Sequence, residues 1–343
     1  MSKARLFVLA LLLGLMIAPT VARSDDFAKF YEGKQITLIV GADVGGPYDA
    51  YGRLLARYIG HHIAGNPRIV VQNMPGATAV IAANYIYRKA PQDGTVLGTL
   101  TNVIPLIKVL GQVYTQFDPA KLNWIGNMAR ELYTVFVRAQ SPIITLADAT
   151  RMKVTMGATS PNAMSSIYPR FINDIAGTRF SVVTGYAGMA AVENALERGE
   201  VDGVAGDSWY DGHGSGVSFN WYLDGTVRTI ALVGSKRAAE FAGVPRLVDL
   251  AKDAETRQLA ELFSSPAEVG KPVVMGPDVP IERVAQMRQA FAATMEDPDF
   301  RSEAEQLKLA IDPESGEELT ALVQAMMAQP AATASRARAI VYQ

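Results

Sequence analysis

Short apolar runs alternate with helix-patterned segments along most of this chain, and that alternation restricts the fold more than any other feature. The runs lie at 36–40, 68–71, 96–100, 132–137, 152–156, 180–184, 201–205 and 228–233, with helical patterns at 50–59, 77–89, 165–176 and 188–198. Strands separated by helices of this size read as βαβ units, whose parallel sheets need helices on both faces. In the first helix Leu54, Leu55, Tyr58 and Ile59 keep near-helical spacing, and Asp49 is placed to cap it. Gly199 follows Arg198 as a helix stop. The alternation runs twice, from about 35 to 110 and from about 150 to 235, without a detectable internal repeat. From Val279 onward the chain reads almost wholly helical, and the tail 330–343 is open between a last helix and a frayed end. No Ser/Gly-rich linker divides the halves, so two α/β domains joined by crossing strands are expected.

Open parallel sheets bind ligands beyond the carboxyl ends of their strands. At that position the chain repeatedly carries turns of small or hydroxyl residues before a helix: 41-GADVGGPYD-49, 72-QNMPGATA-79, 157-GATSPNAMSS-166 and 184-TGYAGMA-190. Glycine-rich turns present backbone N–H groups, and the following helix adds its positive end. The first turn is not a nucleotide loop. Position 43 is Asp where a dinucleotide fingerprint needs Gly, and the Gly-Lys-Ser/Thr of a P-loop is absent. Four such junctions describe a polar cleft suited to a carboxylate or another small anion.

Catalytic signals are weak. His61 and His62 lie at a helix end with no further ligand at metal-site spacing, so neither a metal nor a cofactor is expected. His213 lies in 206-GDSWYDGHGSG-216 beside Ser208 and Ser215, but neither serine sits in Gly-x-Ser-x-Gly. That loop reads as a ligand wall, with an exported hydrolase using His213 as the alternative.

Lys3 and Arg5 precede an apolar run from Leu6 to Ile17 and small residues ending at Ala22. This pattern describes a secretory signal peptide over residues 1–22 and predicts a periplasmic product. The run is short for a membrane span, which takes about 20 residues. The sequence has no cysteine, which excludes disulfides, thiolate metal sites and a lipidated cysteine. A formal charge of −2 and the lack of a basic stripe argue against nucleic acid.

The junctions resemble those of the extracytoplasmic solute receptors of tripartite tricarboxylate transporters, the Bug proteins. Their first loop, Val-Pro-x-x-x-Gly-Gly-Gly-Thr-Asp-x-x-x-Arg, falls without gaps on Val40 to Arg53. Gly45, Gly46, Asp49 and Arg53 match, and Tyr48 replaces a small hydroxyl residue. The second pattern, Val-Val-Glu-Asn-x-Pro-Gly-Ala-Gly-Gly, is met by Val70, Val71, Asn73, Pro75, Gly76 and Ala77. Ala90-Pro91, Asp93-Gly94 and Thr95 follow a third segment, while Tyr186-Ala187-Gly188 and Gly199-x-Val201-Asp202 keep two later turns. The serine loop at 157–166 departs, having lost its glycines and a histidine.

The resemblance implies a two-domain periplasmic binding protein of type II-like fold, with the ligand between parallel-rich sheets. Domain 1 would comprise 23–125 plus 264–343, its C-terminal helices packing back on it, and domain 2 would comprise 126–263. The receptor would close on a small organic acid by a hinge and deliver it, as a monomer without enzymatic activity, to the membrane permease subunits. A periplasmic sensor for a two-component kinase remains a further alternative. Gly45, Gly46, Tyr48, Asp49, Asn73, Gly76, Ala77 and Thr78 would hold or position the ligand from domain 1. Ser160, Ser165, Tyr186 and Gly188 would grip it from domain 2, Ser208 and Trp209 would form the wall, and Arg130 would take a second carboxylate.

Overall fold

The computed structural model describes residues 27–342 except 113, 162, 211–216 and 237, with the side chains of 217 and 218 also outside it. The segment read as a signal peptide therefore lies outside the described residues, as do His213 and Ser215. The elements follow in chain order. They are β1 (Gln35–Val40), α1 (Pro47–Tyr58), β2 (Arg68–Asn73), α2 (Val80–Arg88), β3 (Val96–Thr99), α3 (Ile104–Val109), β4 (Asn123–Asn127) and β5 (Tyr133–Arg138). Then come β6 (Val154–Gly157), α4 (Met164–Ala176), β7 (Phe180–Val183), α5 (Met189–Glu197), β8 (Gly203–Ser208), α6 (Val217–Leu223) and β9 (Val227–Val233). The last part holds α7 (Ala254–Val269), β10 (Pro272–Met275), α8 (Ile281–Glu296), α9 (Pro298–Gln306), β11 (Glu314–Ser315), α10 (Gly316–Met327) and α11 (Ala331–Val341).

Two mixed sheets result. The first has the order β11-β4-β10-β3-β1-β2 and the second β7-β6-β8-β5-β9. The strands read from the repeated βα pattern pair in parallel, β2–β1–β3 in one sheet and β7–β6–β8 in the other. The strands near the crossings pair antiparallel: β10 with β3 and β4, and β5 with β8 and β9. Strands β4, β10 and β11 escape the sequence pattern because they lie outside the repeated βα units and pair antiparallel with partners distant in sequence.

The chain leaves the first sheet after Asn127 and returns to it at Pro272. These two crossings lie against each other: Met128 donates to the Lys271 carbonyl at 3.0 Å, and Lys271 to the Ala129 carbonyl at 3.0 Å. Helices α8 to α10 pack on the first sheet's side. Helix α11 differs, since it packs on α4 of the other half. Arg336 in α11 bonds Asp174 and Glu255 at 2.8 Å each, and Arg170 on α4 donates to the Val341 carbonyl at 3.0 Å. Helix α7 reaches the other way, packing on α3 and α10 of the first half, while its Phe263 ring lies tilted 4.5 Å from Phe171 of α4. One apolar core therefore runs through both halves, joining Ile39, Ile86 and Trp124 to Val135, Met156 and Phe171.

Candidate functional site

The two loops after β1 and β2 lie side by side because their strands pair in register, Val40 opposite Asn73. Gly41 permits the close approach, since a Cβ there would stand 2.7 Å from the Ala79 Cβ. Asp49 is not the helix cap that the sequence suggests. Helix α1 starts at Pro47 with Gly46 at the N-cap, because proline's fixed φ suits the first helical position. From the first turn the buried Asp49 carboxylate reaches back and accepts from Gly45 N–H at 2.9 Å, Arg53 Nε at 2.8 Å and Asn73 Nδ2 at 2.8 Å. Burial raises its pKa, but these three donors outweigh burial and hold it below the usual aspartate value. Asn73 Nδ2 also donates to the Ala42 carbonyl at 3.0 Å, and its Oδ1 accepts from Arg53 at 3.0 Å. The motif residues Gly45, Asp49, Arg53 and Asn73 thus tie the two loops to each other. The Gly46 N–H points to the Asp43 carbonyl at 3.5 Å.

The second loop has a different character. Gly76, Ala77, Thr78 and Ala79 all take positive φ, at 120°, 46°, 55° and 67°. Left-handed backbone costs an L residue about 1–2 kcal/mol, and three in succession need external support. Val80 supplies some by donating to the Ala77 carbonyl at 3.2 Å, and Thr101 Oγ1 donates to the Thr78 carbonyl at 2.9 Å. Among the described residues, the N–H groups of Ala77 and Thr78 have no protein acceptor. Exposed backbone donors in such a turn, backed by the N-terminus of α2, form a positive concavity.

A cavity of 440 Å³ opens from this turn. Ala77, Thr78, Val103, Leu106, Ile107 and Leu110 line it from the first half. Thr159, Ser160, Ala163, Met164 and Ile167 line it from the second, and Val341 at the end of α11 closes one side. Of the residues singled out in the sequence, it brings together Ala77, Thr78 and Ser160. Ser165 is the second residue of α4, buried, its hydroxyl without a partner among the described residues.

The other candidates lie elsewhere. Tyr186 packs against the small core of Val192, Leu196 and Trp221, and Gly188 is the N-cap of α5. Trp209 is buried among Phe219, Tyr222 and Phe241, with ring centroids 4.7 to 5.0 Å away. The expected wall is therefore core, because so large an apolar surface gains more from enclosure than from lining an open loop. Arg130 is held by Asp312 at 2.8 Å, with Glu314 at 3.8 Å, in place of the expected ligand carboxylate.

Ser208, Tyr48 and both crossings meet in a buried junction that the sequence did not reveal. Glu131 on the outgoing crossing pairs with Lys271 on the returning one, each side chain 2% exposed. The Ser208 hydroxyl donates to Glu131 from β8. Lys271 Nζ stands 4.5 Å from the centre of the Tyr48 ring and 5.3 Å from that of Tyr51. The Tyr48 hydroxyl accepts from Asn102 N–H at 3.0 Å and donates to the Gly270 carbonyl at 3.3 Å. Asn102 in turn donates to the Tyr133 hydroxyl at 2.6 Å. Burial, with Glu131 nearby, pushes the Tyr133 and Tyr168 phenols up, so both stay neutral. The sequence signal was a charge at the edge of an apolar run, Lys271 in 269-VGKPVVMG-276 and Glu131 beside Arg130 in 128-MARELYTVFV-137.

A family model described as a tripartite tricarboxylate transporter family receptor matches residues 54–333. The chain belongs to this receptor family. A Cupriavidus necator protein described as "UPF0065 protein in gbd 5'region" is 29% identical over 300 residues, covering 84% of this chain and 82% of that protein. A solute-binding protein of the same family from Polaromonas superposes with a TM-score of 0.68 at 19% identity, over 91% of this chain and 99% of the other. A Rhodopseudomonas palustris protein solved with adipate gives 0.62 at 19% identity, over 90% and 97%. The receptor therefore has the two-sheet α/β architecture of periplasmic solute-binding proteins, and its family is one of receptors. The hydrolase alternative finds no support in a family of receptors.

Proposed function

We propose that the receptor captures a small organic carboxylate between its halves and hands it to the membrane subunits of a tripartite transporter. The observation that carries this reading is the left-handed turn 76–79, which offers backbone donors to a 440 Å³ cavity faced by Ser160 from the other half. In this reading the N–H groups of Ala77 and Thr78 hold the carboxylate, and the hydroxyls of Thr78 and Ser160 donate to its remaining lone pairs. Backbone donors suit a carrier, because they bind an anion without the full charge that would slow release. The adipate bound by the Rhodopseudomonas palustris protein supports the same ligand class.

The two halves, 23–125 with 264–343 and 126–263, close about the crossings at 128–132 and 269–271. Residues 1–22 act as a signal peptide, and the mature chain works as a periplasmic monomer that catalyses no reaction. The test is thermal denaturation against mono- and dicarboxylates, with each mixture assayed for turnover. A ligand at a hundred times its Kd adds about 2.7 kcal/mol of stability. A melting curve indifferent to every acid, together with consumption of an ester or amide, would refute the proposal.

A further inference from the structure

We infer that this receptor selects monocarboxylates with an apolar body over dicarboxylates of the same length. The inference rests on the carboxylate reading above and adds the chemistry at the ligand's other end.

The cavity has one polar side and one apolar side. Thr78, Thr159 and Ser160 stand with the backbone donors of the left-handed turn. Val103, Leu106, Ile107, Leu110, Met164 and Ile167 supply the rest of the wall, with only Gln112 and the exposed Tyr114 adding polar groups. No Lys, Arg or His lines it among the described residues, and positions 113 and 162 in the adjoining segments are Val and Asn.

Two guanidinium groups do bond to the walls, but they are engaged there. Arg170 donates to the carbonyls of Pro161 at 2.9 Å and Val341 at 3.0 Å. Arg338 donates to the Val109 carbonyl at 3.1 Å and to Ser335 Oγ at 3.0 Å. A ligand anchored at the turn would therefore thrust a second carboxylate among aliphatic side chains, with no cationic lining residue among those described and both guanidinium forks already taken up by wall carbonyls. A methyl group or ring in the same place would gain by burial. The volume lies within the range of small-molecule sites and suits a chain or ring of modest size.

The experiment is isothermal titration of the mature, ligand-free receptor with butanoate to decanoate and their α,ω-dicarboxylate counterparts, plus benzoate and terephthalate. The best monocarboxylate should bind at least about tenfold tighter than its dicarboxylate counterpart, a difference of about 1.4 kcal/mol. Met164→Lys, which places a cation on the apolar side, should narrow or reverse that ratio. A dicarboxylate that binds the wild-type receptor as tightly as its partner overturns the inference and leaves the carboxylate reading standing. A folded Met164→Lys variant with an unchanged ratio overturns it too. Silence from every acid removes the carboxylate reading, and the inference with it. The wild-type ratio decides alone if the variant fails to fold.

Discussion

Replacing Lys271 by Met should destabilise the receptor far more than a surface lysine would. Both members of the Lys271–Glu131 pair are 2% exposed, so removing the cation leaves a buried carboxylate whose remaining described hydrogen bond comes from the Ser208 hydroxyl. Breaking a buried pair from one side costs about 3–5 kcal/mol, because the stranded charge keeps its desolvation penalty. Contacts of Lys271 with the Tyr48 and Tyr51 rings add up to about 2 kcal/mol when desolvated. For a chain of this size a loss of that order lowers the melting temperature by roughly 5–10 °C. Urea denaturation followed by circular dichroism would measure it. The double variant Lys271→Met with Glu131→Leu should recover most of the loss, since an apolar pair of similar volume often substitutes without cost. A single-variant loss under about 1 kcal/mol, or a double variant as unstable as the sum of the singles, would refute the argument that desolvation dominates this junction.

Asp49 carries a pH dependence whose sign follows from its depressed pKa. Its stabilising contribution is complete above the ordinary aspartate value of about 3.9 and is lost as pH falls through the lower folded value. Asp49→Asn should therefore be less stable at neutral pH, with the gap in urea midpoint closing toward acid. A gap that stays constant down to strongly acidic pH would count against it. Tyr48→Phe removes the bonds to Asn102 and Gly270 and should cost about 1–3 kcal/mol while leaving the cavity lining intact. Unaltered denaturation would show those bonds to be unimportant. Trp209→Ala should cost about 3–5 kcal/mol as a core cavity, with ligand preference unchanged in protein that remains folded, read by titration at low temperature. A changed preference would return Trp209 to the ligand site.

Much of the fold was legible because it is local. The β/α alternation located the eight strands β1 to β3 and β5 to β9, and the helices α1, α2, α4 and α5, to within a few residues. Strand β10, by contrast, is four buried residues whose partners β3 and β4 lie more than a hundred residues earlier, so its register carries no local signal. The position of α11 on α4 escaped for the same reason, since Arg336 reaches Asp174 across 162 positions of chain.

At the site, composition and spacing determined which turns follow strands and carry the small and hydroxyl residues of an anion-binding turn. The resemblance to the receptor family also marked Gly45, Asp49, Arg53 and Asn73 as matches to its two loop motifs. Only the tertiary structure decided what each does. Asp49 takes the Gly45 N–H, and Asn73 turns its amide inward, so the first loop is a brace and the second offers free donors. Nothing in the letters Ala-Thr-Ala announces three left-handed residues, because that conformation is imposed by packing against Gly41 and Thr101. Likewise Lys271 reads as an ordinary charge until the two crossings bring it against Glu131. Secondary structure follows from near neighbours in sequence, whereas charge pairing and cavity lining depend on which distant residues fold into contact.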